Sequence, residues 1–113
     1  MKQNPIAPHL KRWLLSIIAQ AQRDGATDLV MEQAPGGGTV HRYMGHSSPP
    51  SPMLDWPLVV SELSGLAGIR EAPYPKEGII YVAYSGVRLR WQLKMTNENS
   101  ECVLHNLGTE MIS

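Results

Sequence analysis

The side chains able to do chemistry fall into two groups. Asp28, Glu32, His41 and His46 are the ones that could hold a metal or move protons. Arg88, Arg90 and Lys94, with Arg42 as a further member, form a cationic set. A guanidinium presents several donors in a rigid fork and so suits phosphates or carboxylates. Asp28 and Glu32 share one face of a strand, but strand rise puts them about 13 Å apart, too far to chelate one ion together. The histidines show no His-x-His or Cys-His metal spacing. No Gly-x-Ser-x-Gly elbow is present, and Cys102 has no evident paired histidine. Gly36-Gly37-Gly38 lacks the Gly-Lys-Ser/Thr ending of a phosphate loop and sits between strands, and no dinucleotide fingerprint occurs. The expectation is a protein without catalytic residues, metal or cofactor. An acid–base role for the Asp28/Glu32/His41 region is the weakest functional reading.

The cationic set belongs to the most legible element. Over residues 87–95, Val87, Leu89, Trp91, Leu93 and Met95 alternate with Arg88, Arg90, Gln92 and Lys94. Side chains alternate faces along a strand, so one face is apolar and the other cationic. Strands over 79–84 and 101–107 flank it, joined by Ser85-Gly86 and a polar turn at 96–100, which makes an antiparallel meander. Upstream, Leu10, Trp13, Leu14, Ile17, Ile18 and Ala21 recur at helical spacing, with Pro8 in the first turn and Gly25 as terminator. A hairpin over 27–33 and 39–44 follows, then a Ser/Pro loop at 45–52. Asp55 is placed to cap a second helix whose buried stripe is Trp56, Val59, Val60, Leu63, Leu66 and Ala67, with Gly68 as its stop. The order is α-β-β-α-β-β-β, an α+β antiparallel sheet with helices on one face.

The chain has 113 residues, which suits a single core. We read 1–8 as a flexible lead-in, 9–107 as one domain and 108–113 as a C-terminal tail. Ten Lys+Arg balance ten Asp+Glu, so no global basic excess argues for nucleic acid or an anionic membrane. Trp91 also points away from the arginines, whereas single-stranded RNA binding wants aromatics interleaved with them. The apolar run 13–19 is far shorter than a membrane span needs, and no signal peptide is expected. One cysteine fits a reducing, cytoplasmic setting.

Several short motifs, in order, resemble the N-terminal PAS-like domain of the type II secretion and type IV pilus hexameric ATPases. Asp24-Gly25-Ala26-Thr27-Asp28-Leu29-Val30-Met31-Glu32 is similar to that family's Gly-Ala-Ser-Asp-Ile-His-Ile-Glu signature. Arg42-Tyr43-Met44-Gly45 resembles its Arg-x-Asp-Gly, and Pro75-Lys76-Glu77-Gly78 its Pro-Gln-Asp-Gly. The segments 63–69 and 87–107 resemble its leucine-rich helix and closing strands. Val30, Met44 and Ile79 stand where the family has His, Asp and Arg, and the nucleotide-hydrolysing domain is missing.

The resemblance implies a PAS-like fold and a non-enzymatic interaction module that docks to an ATPase, another secretion component or a second copy of itself. It implies partner contact by Arg42, Arg88 and Arg90, which in that family can approach a neighbour's nucleotide. It marks Gly25, Asp28, Gly45 and Gly78 as structural signature positions, with Asp28 tying the turn into the first strand. It also sets the register of the second strand, with His41 and Tyr43 on one face and Val40 with Arg42 on the other. Plain hydropathy would instead bury Val40 and Met44. The alternative function is a PAS-like small-ligand-binding or sensory module with a pocket between sheet and helices.

Overall fold

A computed structural model of the chain describes residues 6–48, 55–84, 86–97 and 101–111. Among these residues the elements run α1 (Ile6–Arg23), β1 (Asp28–Gln33), β2 (Thr39–Tyr43), β3 (His46–Ser47), α2 (Trp56–Leu66), β4 (Lys76–Tyr84), β5 (Val87–Met95) and β6 (Cys102–Met111). The class is α+β. All pairings are antiparallel, in one sheet of order β3-β2-β1-β6-β5-β4. β4-β5-β6 is the expected meander, and β6 returns beside β1 to join it to the opening hairpin.

Strand β4 begins at Lys76, three residues before the expected 79, and three further boundaries differ from the sequence reading for a physical reason. Helix α1 begins at Ile6, inside the stretch expected to be flexible; residues 1–5 lie outside the described residues. Pro8 falls in its first turn, where backbone N–H groups have no helical partner and nothing is lost. The element order gains β3 within the expected loop, because Met44 (φ 50) and Gly45 (φ 79) turn the chain in two residues and set His46 opposite Tyr43. Paired positive φ values are what a tight hairpin turn demands. Strand β6 runs to Met111 rather than ending at Leu107. Gly108 is not a terminator but part of a bulge: Trp91 faces Asn106, Arg90 faces Gly108, and Leu107 is the extra residue. The Gly108 N–H donates to Asn106 Oδ1 at 2.7 Å and fixes that kink. The Pro-rich loop residues 49–52, Ser85 and residues 98–100 of the polar turn lie outside the described residues.

The core forms between both helices and one face of the sheet. Leu29 and Met31 of β1, Ile80 and Val82 of β4, Leu89, Trp91, Leu93 and Met95 of β5, and Cys102 and Leu104 of β6 all bury there. Leu14, Ile17, Ile18 and Ala21 of α1 meet them with Trp56, Val59 and Leu63 of α2. The apolar alternation of β5 is thus a core face, as its pattern predicts. Trp13 departs from its expected place: it remains 42% exposed at the rim of the α1 stripe. Asp55 holds the N-cap position of α2 with an extended backbone, but its carboxylate makes no capping bond. Pro57 removes one of the N–H groups such a cap would take, and the Trp56 N–H donates instead to the Gly37 carbonyl at 3.1 Å.

Both helices end in the same kind of turn. At α1, Ala26 N–H donates to Ala21 O (2.9 Å) and Gly25 N–H to Gln22 O (3.1 Å). At α2, Ile69 N–H donates to Ser64 O (2.9 Å) and Gly68 N–H to Gly65 O (3.1 Å). This 6→1, 5→2 pattern needs a left-handed residue, supplied by Gly25 (φ 80) and Gly68 (φ 71).

Candidate functional site

The helices cover one face of the sheet, so the register decides what the other face presents. Val30 pairs with Arg42 and Val103, and Glu32 with Val40. Arg88 pairs with Glu110 and Ala83, and Gln92 with His105 and Ile79. Asp28, Val30, Glu32, Val40, Arg42, Val103, His105, Arg88, Arg90, Lys94, Ile79 and Tyr81 therefore share the helix-free side. Arg42, Arg88 and Arg90 lie on this one face. Arg42 on β2 is three strand spacings from β5, about 14 Å across the sheet. It is level with Lys94, so Arg90 and Arg88 lie about 13 and about 20 Å further along the strand.

The arginines do not stand alone. Arg42 Nε lies 3.1 Å from Glu32 Oε1, and its Nη2 lies 3.3 Å from Glu101 Oε1. Arg88 is ion-paired to Glu110, and its guanidinium sits 5.1 Å from the centroid of the Tyr81 ring. Arg90 Nη2 donates to the Leu107 carbonyl at 2.9 Å, at the bulge, while its Nε is buried without a partner. On the side expected to be cationic, Arg42 and Arg88 are thus neutralised by glutamates, whereas Arg90 meets a carbonyl. Glu101 and Glu110 escape a reading of single strands, because only register brings them to arginines far away in the chain. The remaining signal is the opposite-charge preference of cross-strand pairs.

Asp28 belongs to the same lattice. His105 Nδ1 lies 2.9 Å from Asp28 Oδ1, and a carboxylate only accepts, so the proton sits on Nδ1. The hydrogen bond from His105, with a smaller one from Thr27 Oγ1, holds the Asp28 carboxyl below the usual carboxylate range despite a small opposing effect of burial. Asp28 therefore reaches across to β6 through Oδ1, while its Oδ2 accepts from Thr27 Oγ1 at 3.1 Å in the turn after α1. The same turn is held by Gly25, by Asn106 Nδ2 donating to Ala26 O (3.0 Å), and by Tyr43 OH donating to Asp24 Oδ2 (2.8 Å). The bond to Asp24 also raises the Tyr43 phenol above its ordinary pKa. Gly45 serves the β2–β3 turn. Gly78 serves a close approach: a Cβ there would lie 2.8 Å from Ile69 Cγ2 and 2.9 Å from the Ala67 carbonyl at the end of α2.

The metal and acid–base candidates do not converge. Asp28 and Glu32 face the helix-free side, whereas His41 pairs with buried Met31 and faces the helices. Among the described residues no three His, Cys, Asp or Glu side chains gather as a metal site. The strand register is the one the resemblance implies: His41 is half-buried with Tyr43 on its face, and Met44 is 60% exposed. Burial lowers the His41 pKa. A row of rings that sequence patterning misses runs from there along the sheet edge. Trp13 meets His41 edge-on at 6.0 Å, His41 stacks on Tyr43 at 6.5 Å, and Tyr43 meets His46 edge-on at 6.4 Å. Burial pushes the Cys102 thiol up to about 12, which leaves it protonated and unreactive at neutral pH.

On the helical side, a cleft of about 410 Å³ opens between α2 and the segment 70–76 and includes Trp56, Arg70, Tyr74 and Lys76 in its wall. No described helix is long and apolar enough to cross a membrane. A scan against protein-family models finds no match to this chain, and a search of curated proteins finds none either.

Proposed function

We propose that the chain is a non-enzymatic protein-interaction module resembling the N-terminal PAS-like domain of type II secretion and type IV pilus ATPases. In this reading it docks through the helix-free face of its sheet, with Arg42, Arg88 and Arg90 meeting the partner. The observation that carries it is a multistranded sheet with helices on one side only, whose open side carries all three arginines. Val30, Val40, Val103, Ile79 and Tyr81 lie between the ion pairs and supply apolar contact area there. The PAS-like part of the proposal draws on the return of β6 beside β1, with both helices packed on one face. The partner is a secretion or pilus ATPase, or a second copy of the chain, and a cytoplasmic setting accords with the free thiol of Cys102.

Calorimetric titration of the purified chain against the secretion or pilus ATPase of its own genome tests this. Saturable binding that an Arg42→Glu/Arg88→Glu/Arg90→Glu variant loses by at least about tenfold is expected. A variant that stays folded and binds unchanged would sink the arginine face as the contact. A second reading, a small-ligand-binding module, is favoured by one observation, the cleft beside α2.

A further inference from the structure

The cleft beside α2 differs from the open sheet face in one respect that bears on a ligand. Arg70 and Lys76 line it without any carboxylate in the wall, and among the described residues no acid is ion-paired to either. On the sheet face Arg42 and Arg88 are neutralised by glutamates; in the cleft the positive charge is left available.

Both cations are held in place. Arg70 Nε and Nη2 donate to the Ser61 carbonyl at 3.3 and 3.2 Å. Its guanidinium lies over Gly65, where a Cβ would come within 2.7 Å of Cζ and closer still to Nη2. Only glycine leaves that seat open. Lys76 Nζ rests 4.6 Å from the centroid of the Tyr74 ring. Ser64 also lines the cleft and is 1% exposed, yet the described partner of its hydroxyl is Met95 Sδ at 3.5 Å. Sulfur is a weak acceptor, and the oxygen keeps its lone pairs and can reorient its proton. Tyr74 brings aromatic surface to the same wall, backed by Trp56, which is only 2% exposed.

We propose that this cleft binds a small organic anion with a planar apolar body. The negative head sits between Arg70 and Lys76, and the ring lies against Tyr74. A volume of about 410 Å³ suits a ligand of that size. The proposal rests on the small-ligand reading above and is independent of the docking face, since Arg42, Arg88 and Arg90 take no part.

The test is an amide-shift titration of the isotope-labelled full chain by NMR with phenyl phosphate and benzoate as probes. Inorganic phosphate supplies the head alone and benzyl alcohol the body alone. The expected result is saturable shifts at Ser61, Ser64, Arg70 and Lys76 with one or both aromatic anions, the two arms telling phosphate from carboxylate. Arg70→Gln and Lys76→Gln should each weaken binding by about tenfold or more, the size expected for a charge-assisted contact. Gly65→Ala should leave the helix intact while driving the guanidinium from its seat, and should weaken binding in the same direction. If benzyl alcohol binds as well as the anions, or folded Arg70→Gln and Lys76→Gln bind as wild type does, the anion proposal is overturned and the small-ligand reading survives. If neither anion nor benzyl alcohol produces saturable shifts at the cleft, both are overturned.

Discussion

The indole Nε1 of Trp91 donates to Oε1 of Gln22 at 3.0 Å, joining the middle of β5 to the last turn of α1. Trp91 is completely buried, so this bond satisfies a donor that would otherwise have lost water without replacement. Trp91→Ala should destabilise the fold by about 3–5 kcal/mol through the cavity it leaves. Gln22→Ala, which removes only the acceptor, should cost about 1–3 kcal/mol. Urea denaturation curves of the two variants check the ordering, and equal losses would show that the polar bond dominates over the packing.

Met44 sits at φ 50 in the turn between β2 and β3, with its side chain mostly exposed. Left-handed backbone costs an ordinary side chain about 1–2 kcal/mol and costs asparagine less. Met44→Asn should therefore stabilise the protein by about 0.5–1 kcal/mol, seen as a higher thermal midpoint. A drop in that midpoint would mean that the methionine side chain contributes packing that its exposure conceals.

Burial holds His41 below its ordinary pKa of about 6.5. In the window between the folded and ordinary values the unfolded chain binds a proton that the folded chain does not. Stability is thus fully present above about pH 6.5 and declines as the pH falls through that window. His41→Gln should remove this part of the slope. The measurement is the difference in unfolding free energy between wild type and variant across pH 5–8, and a pH-independent difference would count against the buried neutral imidazole.

The Arg88–Glu110 pair is half-exposed on both sides. Such pairs couple weakly, by about 0.2–1 kcal/mol. A double-mutant cycle with Arg88→Ala and Glu110→Ala should return a coupling in that range, smaller in 1 M salt than in 0.1 M. A value of several kcal/mol would mark the pair as structural rather than as a group free to exchange partners.

How much of this was legible beforehand depended on whether a residue's fate is decided within its own element. Strand β5 alternates without exception, and hydropathy alone states which side is buried. The same logic places Gly25 at the end of α1, since a helical stripe followed by glycine meets a local geometric need. Periodicity finds a stripe but not its margins, so it does not place Trp13, whose ring ends beside His41 on a neighbouring element. The end of β6 is hidden because Gly108 resembles punctuation, whereas it lies in a bulge that lets the strand follow β5 to its first residue. The partners of the arginines were not legible for a related reason. Glu110 lies in a segment that reads as tail, and nothing local announces that register will carry it to Arg88. The cleft depends on Arg70 folding back over Gly65, a contact between a helix and the loop leaving it that no period encodes.

The cross-strand ion pairs of the open face bear on the kinetics of any encounter there. Opposite charges a few ångströms apart cancel beyond a Debye length, about 8 Å at physiological ionic strength, and the chain as a whole carries no net charge. A partner approaching the sheet feels no long-range pull and is not steered. Its association should then proceed at the unassisted rate of about 10⁵–10⁶ M⁻¹s⁻¹ and vary little with salt. Selectivity would arise only at contact, when an arginine gives up its glutamate for a better acid on the other surface.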